Sequence, residues 1–213
     1  MEINWLGQSS FRIKGKQVTI ITDPYRPENG GNSGRSSAGI ICLSYEDPQS
    51  DAAIAKIGGE PYIIRGPGEY EVKDVLVIGI PSYQDENKGS VRGKNTIYAL
   101  EIEEVSICHL GRLGHLLDDA QIEIIGNVDV LLLPVGGNLT INASLAAKLV
   151  RSIEPKVVIP MHYKTPRTSL EIDPVDKFLS EIGAQGIPAQ PKVSISRNNL
   201  PQTTQVMLLE DHS

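Results

Sequence analysis

Four histidines (His109, His115, His162 and His212) and two cysteines (Cys42 and Cys108) are the chain's entire stock of imidazole and thiolate ligands. A catalytic zinc takes about three protein ligands and leaves a fourth position open, so a site that needs five imidazoles is excluded at once. His212 lies one residue from the C-terminus. Both cysteines fall inside short apolar runs that read as strands, Gly39-Ile40-Ile41-Cys42-Leu43 and Val105-Ser106-Ile107-Cys108. Free buried thiols are expected there rather than a disulfide, and burial suppresses thiolate chemistry. Gly93-Lys94-Asn95-Thr96 is not a phosphate loop, because Lys88 stands where the leading glycine is required. Gly31-Asn32-Ser33-Gly34 lacks the Gly-x-Ser-x-Gly frame of an exposed serine nucleophile.

The residues able to do chemistry gather instead in four segments: Asn4 to Phe11, Ser44 to Asp51, Cys108 to His115, and Pro160-Met161-His162-Tyr163. Each lies where a strand pattern gives way to a polar or glycine-rich turn. Strand ends and the loops beyond them are where layered folds assemble ligand sites.

The elements that must position these segments begin with strands over 2–6, 10–13 and 17–22, the last two joined by the tight turn Lys14-Gly15-Lys16. Residues 24–38, rich in Gly, Ser, Asn and Pro, predict a long loop. Strands are expected over 39–43, 61–64, 75–80, 96–102, 105–109, 128–133, 157–159 and 205–209. Helices are expected over 51–57 and 118–125, from Asn142 to about Ile153, and over 175–182 with Asp173 and Pro174 at the N-cap and first helical positions. The acidic stretch 101–104 reads as a solvated strand edge or turn. Many strands with few helices imply layered α and β packing. Strict βαβ alternation and a Gly-x-Gly-x-x-Gly turn are both missing, which disfavours a dinucleotide-binding fold.

The chain has 213 residues and is 40% hydrophobic, with 20 Lys and Arg against 26 Asp and Glu and a formal charge of -6. That is sufficient for one sizeable core, and a single domain over 1–213 is expected. An acidic balance without a basic block argues against nucleic acid as a partner and against a nuclease. Neither a secretory signal nor a membrane-spanning run is recognisable, so a soluble cytoplasmic protein is expected.

Together with Thr22-Asp23-Pro24-Tyr25, Gly66-Pro67-Gly68-Glu69-Tyr70, Gly93-Lys94-Asn95-Thr96 and Val135-Gly136-Gly137, the four segments resemble the metallo-β-lactamase superfamily over nearly the whole chain. Within it, they are similar to the small metal-dependent hydrolases related to L-ascorbate-6-phosphate lactonase. The resemblance implies an α/β (α+β) fold: a four-layer αβ/βα sandwich with two sheets face to face, helices outside, and a metal site at one sheet edge. In the family, imidazoles and carboxylates converge on one or two zinc ions, whose bound water becomes hydroxide near neutral pH.

On that frame the family's His-x-His-x-Asp-His motif falls on Tyr45 to Ser50, placing Tyr45, Asp47, Gln49 and Ser50 at ligand positions. Gln84, followed by Asp85, takes the place of a further histidine. Gln8 matches a pocket histidine, and Arg112 the bridging aspartate. His162 is the one histidine ligand retained, while His109 falls at a scaffold position. The expected cleft is therefore vestigial, lined by Gln8, Tyr45, Asp47, Gln49, Ser50, Gln84, Asp85, Arg112 and His162, with no cofactor and no catalytic residue. A guanidinium where the family has an anion repels a divalent cation; Arg112 is expected to occupy the metal's place and pair with Asp47 or another cleft carboxylate. With Lys94 or Arg92 it could instead receive a small anionic ligand. The competing expectation is an active hydrolase of the lactone, ester or phosphoester class, with one zinc or other divalent ion on Asp47, Asp85 and His162.

Overall fold

Fifteen strands and four α-helices are laid down in a computed structural model that describes residues 1–25 and 37–212. The strands are β1 (Glu2–Gly7), β2 (Ser10–Lys14), β3 (Thr19–Thr22), β4 (Ile40–Leu43), β5 (Tyr62–Arg65), β6 (Gly68–Val72), β7 (Val75–Tyr83), β8 (Lys94–Ile102), β9 (Val105–His109), β10 (Val130–Pro134), β11 (Val157–Met161), β12 (Ala189–Gln190), β13 (Val193–Ser194), β14 (Gln205–Val206) and β15 (Leu208–Leu209). The helices are α1 (Ser50–Ile54), α2 (Asp119–Ile125), α3 (Ala143–Ile153) and α4 (Val175–Ile182). Most of the loop expected over 24–38 lies outside the described residues.

Two mixed sheets result. The first runs β13-β1-β2-β3-β4-β5 and the second β14-β11-β10-β9-β8-β7-β6. β1 to β3 are antiparallel neighbours while β3, β4 and β5 are parallel; β6 to β9 are antiparallel while β9, β10 and β11 are parallel. Three of the parallel strands, β4, β10 and β11, are buried on both faces and have no exposed residue, whereas β5, at the sheet edge, exposes Tyr62, Ile63 and Arg65. The unbroken apolar runs of the three buried strands reflect cover on each side. One core contains Trp5, Phe11, Ile20 and Ile40 from the first sheet with Tyr98, Ile107, Leu131 and Ile159 from the second. Ile21, Ile41 and Leu43 point the other way and form a small second cluster with Ile54 beside α1. The architecture is thus two face-to-face sheets flanked by helices, an α/β sandwich of the expected kind.

Local chemistry explains most boundaries. Asn142 caps α3 by accepting from the Leu145 amide, and Asp118 and Gln121 form a reciprocal capping box on α2. Glu103 and Glu104, both left-handed, make the turn between β8 and β9 within the acidic stretch. At α4 the expectation is corrected: Pro174, not Asp173, holds the N-cap position, with no side-chain cap. Asp173 instead pairs with Lys177 one turn on. The expected strand over 205–209 is divided into β14 and β15, which join different sheets. β6, β12 and β13 were not expected; β6 is a short edge strand opened by Gly68, in which only Tyr70 and Val72 pack on the core between two exposed glutamates. Among the described residues no helix is long and apolar enough to cross a membrane. Both cysteines are free and buried, and burial pushes the Cys108 thiol up to about 12 and Cys42 higher.

Candidate functional site

The ends of β1, β3, β4, β9 and β11 converge, and their turns bring together Gln8, Ser9, Asp23, Ser44, Tyr45, His109, Arg112 and His162. Three of these, Gln8, Asp23 and His162, are left-handed with φ of 51°, 39° and 52°. Such backbone geometry costs about 1 kcal/mol or more per residue outside glycine and collects at functional clefts. Close packing holds the turns in place. A Cβ on Gly136 would collide with the His162 carbonyl oxygen, and one on Gly111 would stand 2.6 Å from the Ser44 Cβ.

Beneath the cleft is a buried polar network. Asp23 Oδ1 accepts from the Ser44 amide at 2.6 Å, Ser44 Oγ lies 3.2 Å from His109 Nδ1, and His109 Nε2 lies 2.8 Å from the Ser9 carbonyl oxygen. A carbonyl can only accept, so His109 carries its proton on Nε2 and Nδ1 accepts from the Ser44 hydroxyl. The ring is neutral: burial lowers its pKa against the opposing pull of Asp23, whose Oδ2 is 3.9 Å away. Burial likewise raises the Asp23 carboxyl, opposed by His109, the Ser44 amide, Ser9 and Arg112. Asn95 extends the network, donating to Ser82 Oγ and the Leu110 carbonyl and accepting from the Arg112 amide. His109 is thus structural, and Asp23, Ser44 and Asn95 are members that sequence reasoning assigned no role, although their segments had been singled out.

Arg112 reaches into the cleft rather than into solvent. Its guanidinium lies over the Tyr45 ring, 3.8 Å from the centroid, a cation–π contact. The expected pairing with Asp47 or another carboxylate is not formed: among the described residues the ion pairs do not include Arg112, and its buried Nε has no partner. An aromatic face offers the guanidinium contact without the geometry a carboxylate would demand. The strand ends are tied instead by the Asp23, Ser44 and His109 network. Burial raises the Tyr45 phenol well above its ordinary range, with Arg112 pulling the other way.

His162 is fully buried with both ring nitrogens unpartnered, and its pKa is pushed down to about 3, first by burial and then by the Arg112 charge. Its amide donates to the Gln8 carbonyl, which also accepts from the Trp5 indole. The Gln8 side-chain amide donates to Thr168 at 2.7 Å, and its Oε1 is buried without a partner.

The remaining expected residues have other tasks. Asp85 accepts from the amides of Asn87, Gly89, Val91 and Arg92. Burial acts to raise its pKa, and these four donors outweigh it, so the group is held below the usual carboxylate range. Gln84 donates to the Lys94 carbonyl and accepts at its own carbonyl from Arg92. Arg92 is therefore directed at the 84–92 loop. Asp47 accepts from the Gln49 amide as the chain enters α1, Gln49 is exposed, and Ser50 is the first residue of that helix.

Asp47, Asp85 and His162 are not assembled into a ligand set. Among the described residues no group of three or more His, Cys, Asp or Glu side chains is placed to hold a metal ion. His162 offers a good donor, and the guanidinium beside it is the wrong charge; the described residues do not fit the ion.

Residues 2–162 match the family model described as the beta-lactamase superfamily domain. The chain belongs to that family. A metal-dependent hydrolase of Pyrococcus horikoshii is 28% identical over 194 residues, covering 78% of this chain and 85% of the relative. A crystal structure from Thermotoga maritima, described as a Zn-dependent hydrolase of the metallo-β-lactamase superfamily, superposes with a TM-score of 0.82 at 31% identity, covering 98% of this chain and 97% of the other. A metal-dependent hydrolase from Parabacteroides distasonis shares the fold at 16% identity and a TM-score of 0.69.

Proposed function

We propose that this member of the metallo-β-lactamase superfamily works without the family's metal centre and is not a hydrolase, although its relatives are named as metal-dependent hydrolases. The motif frame that resembles L-ascorbate-6-phosphate lactonase supports assignment to that branch with a degenerate ligand set. One observation carries the reading: Arg112 lies on Tyr45, both at positions the frame gives to metal ligands, and its charge acts on His162, the one histidine retained there. A half-buried cation beside the one retained histidine opposes a divalent ion, and a zinc site needs about three donors that converge. The Asp23, Ser44 and His109 network supports the same reading, since it joins the strand ends through hydrogen bonds that need no ion. A net charge of -6 argues against a nucleic-acid partner. Two free buried thiols accord with the reducing cytoplasm.

Elemental analysis of protein purified without chelators, paired with assays of lactone, ester and phosphodiester hydrolysis, tests the proposal. Metal well below one equivalent and no turnover above buffer are expected. About one equivalent of bound metal, with turnover that disappears in His162→Ala, would refute it.

A further inference from the structure

The two large sheets end in four edge strands, and three of them are blunted against further pairing. β13 and β14 are two residues long, and β6 presents Glu69 and Glu71 to solvent. β5 has no such protection. Tyr62 is 51% exposed and Ile63 38%, and the strand's one charge, Arg65, is already paired with Asp51 at 2.6 Å. An apolar edge with free backbone groups is a template for another strand.

The ladder to β4 fixes which groups are free. In a parallel pair a residue turns its N–H and its C=O to the same neighbour, and the Tyr62 amide donates to the Gly39 carbonyl of the β4 chain. Tyr62 and Ile64 therefore face β4, while Ile63 turns both of its groups outward and Arg65 turns its amide outward. The planar trans peptide places the Pro61 carbonyl opposite the Tyr62 N–H, and so outward as well. Among the described residues no strand lies on this side of β5.

We infer that β5 pairs with β5 of a second copy of this chain, antiparallel about a twofold axis through Ile63, so that the two six-stranded sheets become continuous. The edge is complementary to itself. The facing Ile63 residues exchange both N–H···O bonds, and each Arg65 amide meets the Pro61 carbonyl of the other copy, so the proline, which has no N–H, is required only to accept. On the inner face Tyr62 stands opposite Ile64, an aromatic and β-branched pair. On the outer face Ile63 carries the apolar row of Ile21 and Ile41, its neighbours in register, across the axis. With Arg65 neutralised by Asp51, the contact buries no unpaired charge. These matches are between β5 and itself, which selects a second copy over an unrelated strand. The inference is independent of the reading of the metal site.

Sedimentation velocity on the full chain across a range of concentrations tests it. A short edge contact predicts a Kd on the order of 1–100 μM, so the mass should rise with concentration from 23.1 kDa toward twice that value. Ile63→Lys sets two ammonium groups face to face on the axis and should weaken association by at least about tenfold. Ile63→Pro removes an N–H that the ladder to β4 does not use, and should weaken it similarly. Ile124→Lys, on the exposed face of α2, should leave association unchanged. Hydrogen exchange at high and low protein concentration reads the register: the Ile63 and Arg65 amides should slow by at least about tenfold on association, and the Tyr62 and Ile64 amides should not. A chain that stays at 23.1 kDa throughout, or that associates equally well in both Ile63 variants, overturns the inference. Association that leaves the Ile63 and Arg65 amides unprotected overturns it too.

Discussion

Acidification should unfold this protein through His162, and the size of the effect follows from its burial. The ring is pushed down to about 3 from 6.5, by burial first and Arg112 second. Between those values the unfolded chain binds a proton that the native state refuses, so stability falls as pH falls. Each pH unit in that window costs about 1.4 kcal/mol, and the step from about pH 6.5 to about pH 5 costs about 2 kcal/mol. His109, also lowered by burial, acts in the same direction. Asp23 acts in the opposite one, because a raised carboxyl lets the native state take its proton more readily. A comparison with His162→Asn separates the histidine from these neighbours, and asparagine tolerates the left-handed backbone at this position. Urea denaturation of both proteins across about pH 5 to 8, with and without EDTA, should give a wild-type curve that is steeper by up to about 1.4 kcal/mol per pH unit. EDTA should change neither curve. Parallel pH dependences in the two proteins would refute the argument that a buried, neutral His162 is held beside a cation.

Further outcomes follow from the same contacts. Arg112→Gln removes a charge that lowers the His162 pKa, so the histidine should titrate at higher pH in the variant, as followed by NMR. Ser44→Ala breaks the bond to His109 Nδ1 and leaves a buried ring nitrogen unpaired, which should cost about 1–3 kcal/mol in chemical denaturation. Gly136→Ala drives a Cβ against the His162 carbonyl oxygen and should destabilise by about 1–3 kcal/mol or more. Asp85→Ala should speed hydrogen exchange at Asn87, Gly89, Val91 and Arg92 while leaving the Ser44 amide protected.

The sandwich was legible because its signals are local. Continuous apolar runs marked β10 and β11, and Asn142 announced α3 as its cap. β6 was missed because its alternation covers only Tyr70 and Val72, and Gly66, Pro67 and Gly68 at its start read as a turn. The resemblance located Arg112, Tyr45 and His162 at one cleft, but not what Arg112 would touch. Whether a guanidinium meets Asp47 or the face of Tyr45 depends on how three turns pack, which spacing does not encode. Asp85 shows the opposite failure. Its segment, Asp85-Glu86-Asn87-Lys88-Gly89, carries the turn chemistry of a carboxylate that binds its own loop, a signal open to reading without coordinates. Asp23 and Ser44 sit at strand ends in segments already singled out, yet only the fold shows that they meet His109.

The central claim is that His162 and its neighbours do not grip a divalent ion. Crystals soaked in zinc and measured on both sides of the zinc absorption edge test it most directly. The account predicts no anomalous peak within bonding distance of His162 and an Arg112 guanidinium still seated on Tyr45. A fully occupied peak about 2.0–2.1 Å from a His162 ring nitrogen, with Arg112 displaced, would contradict it.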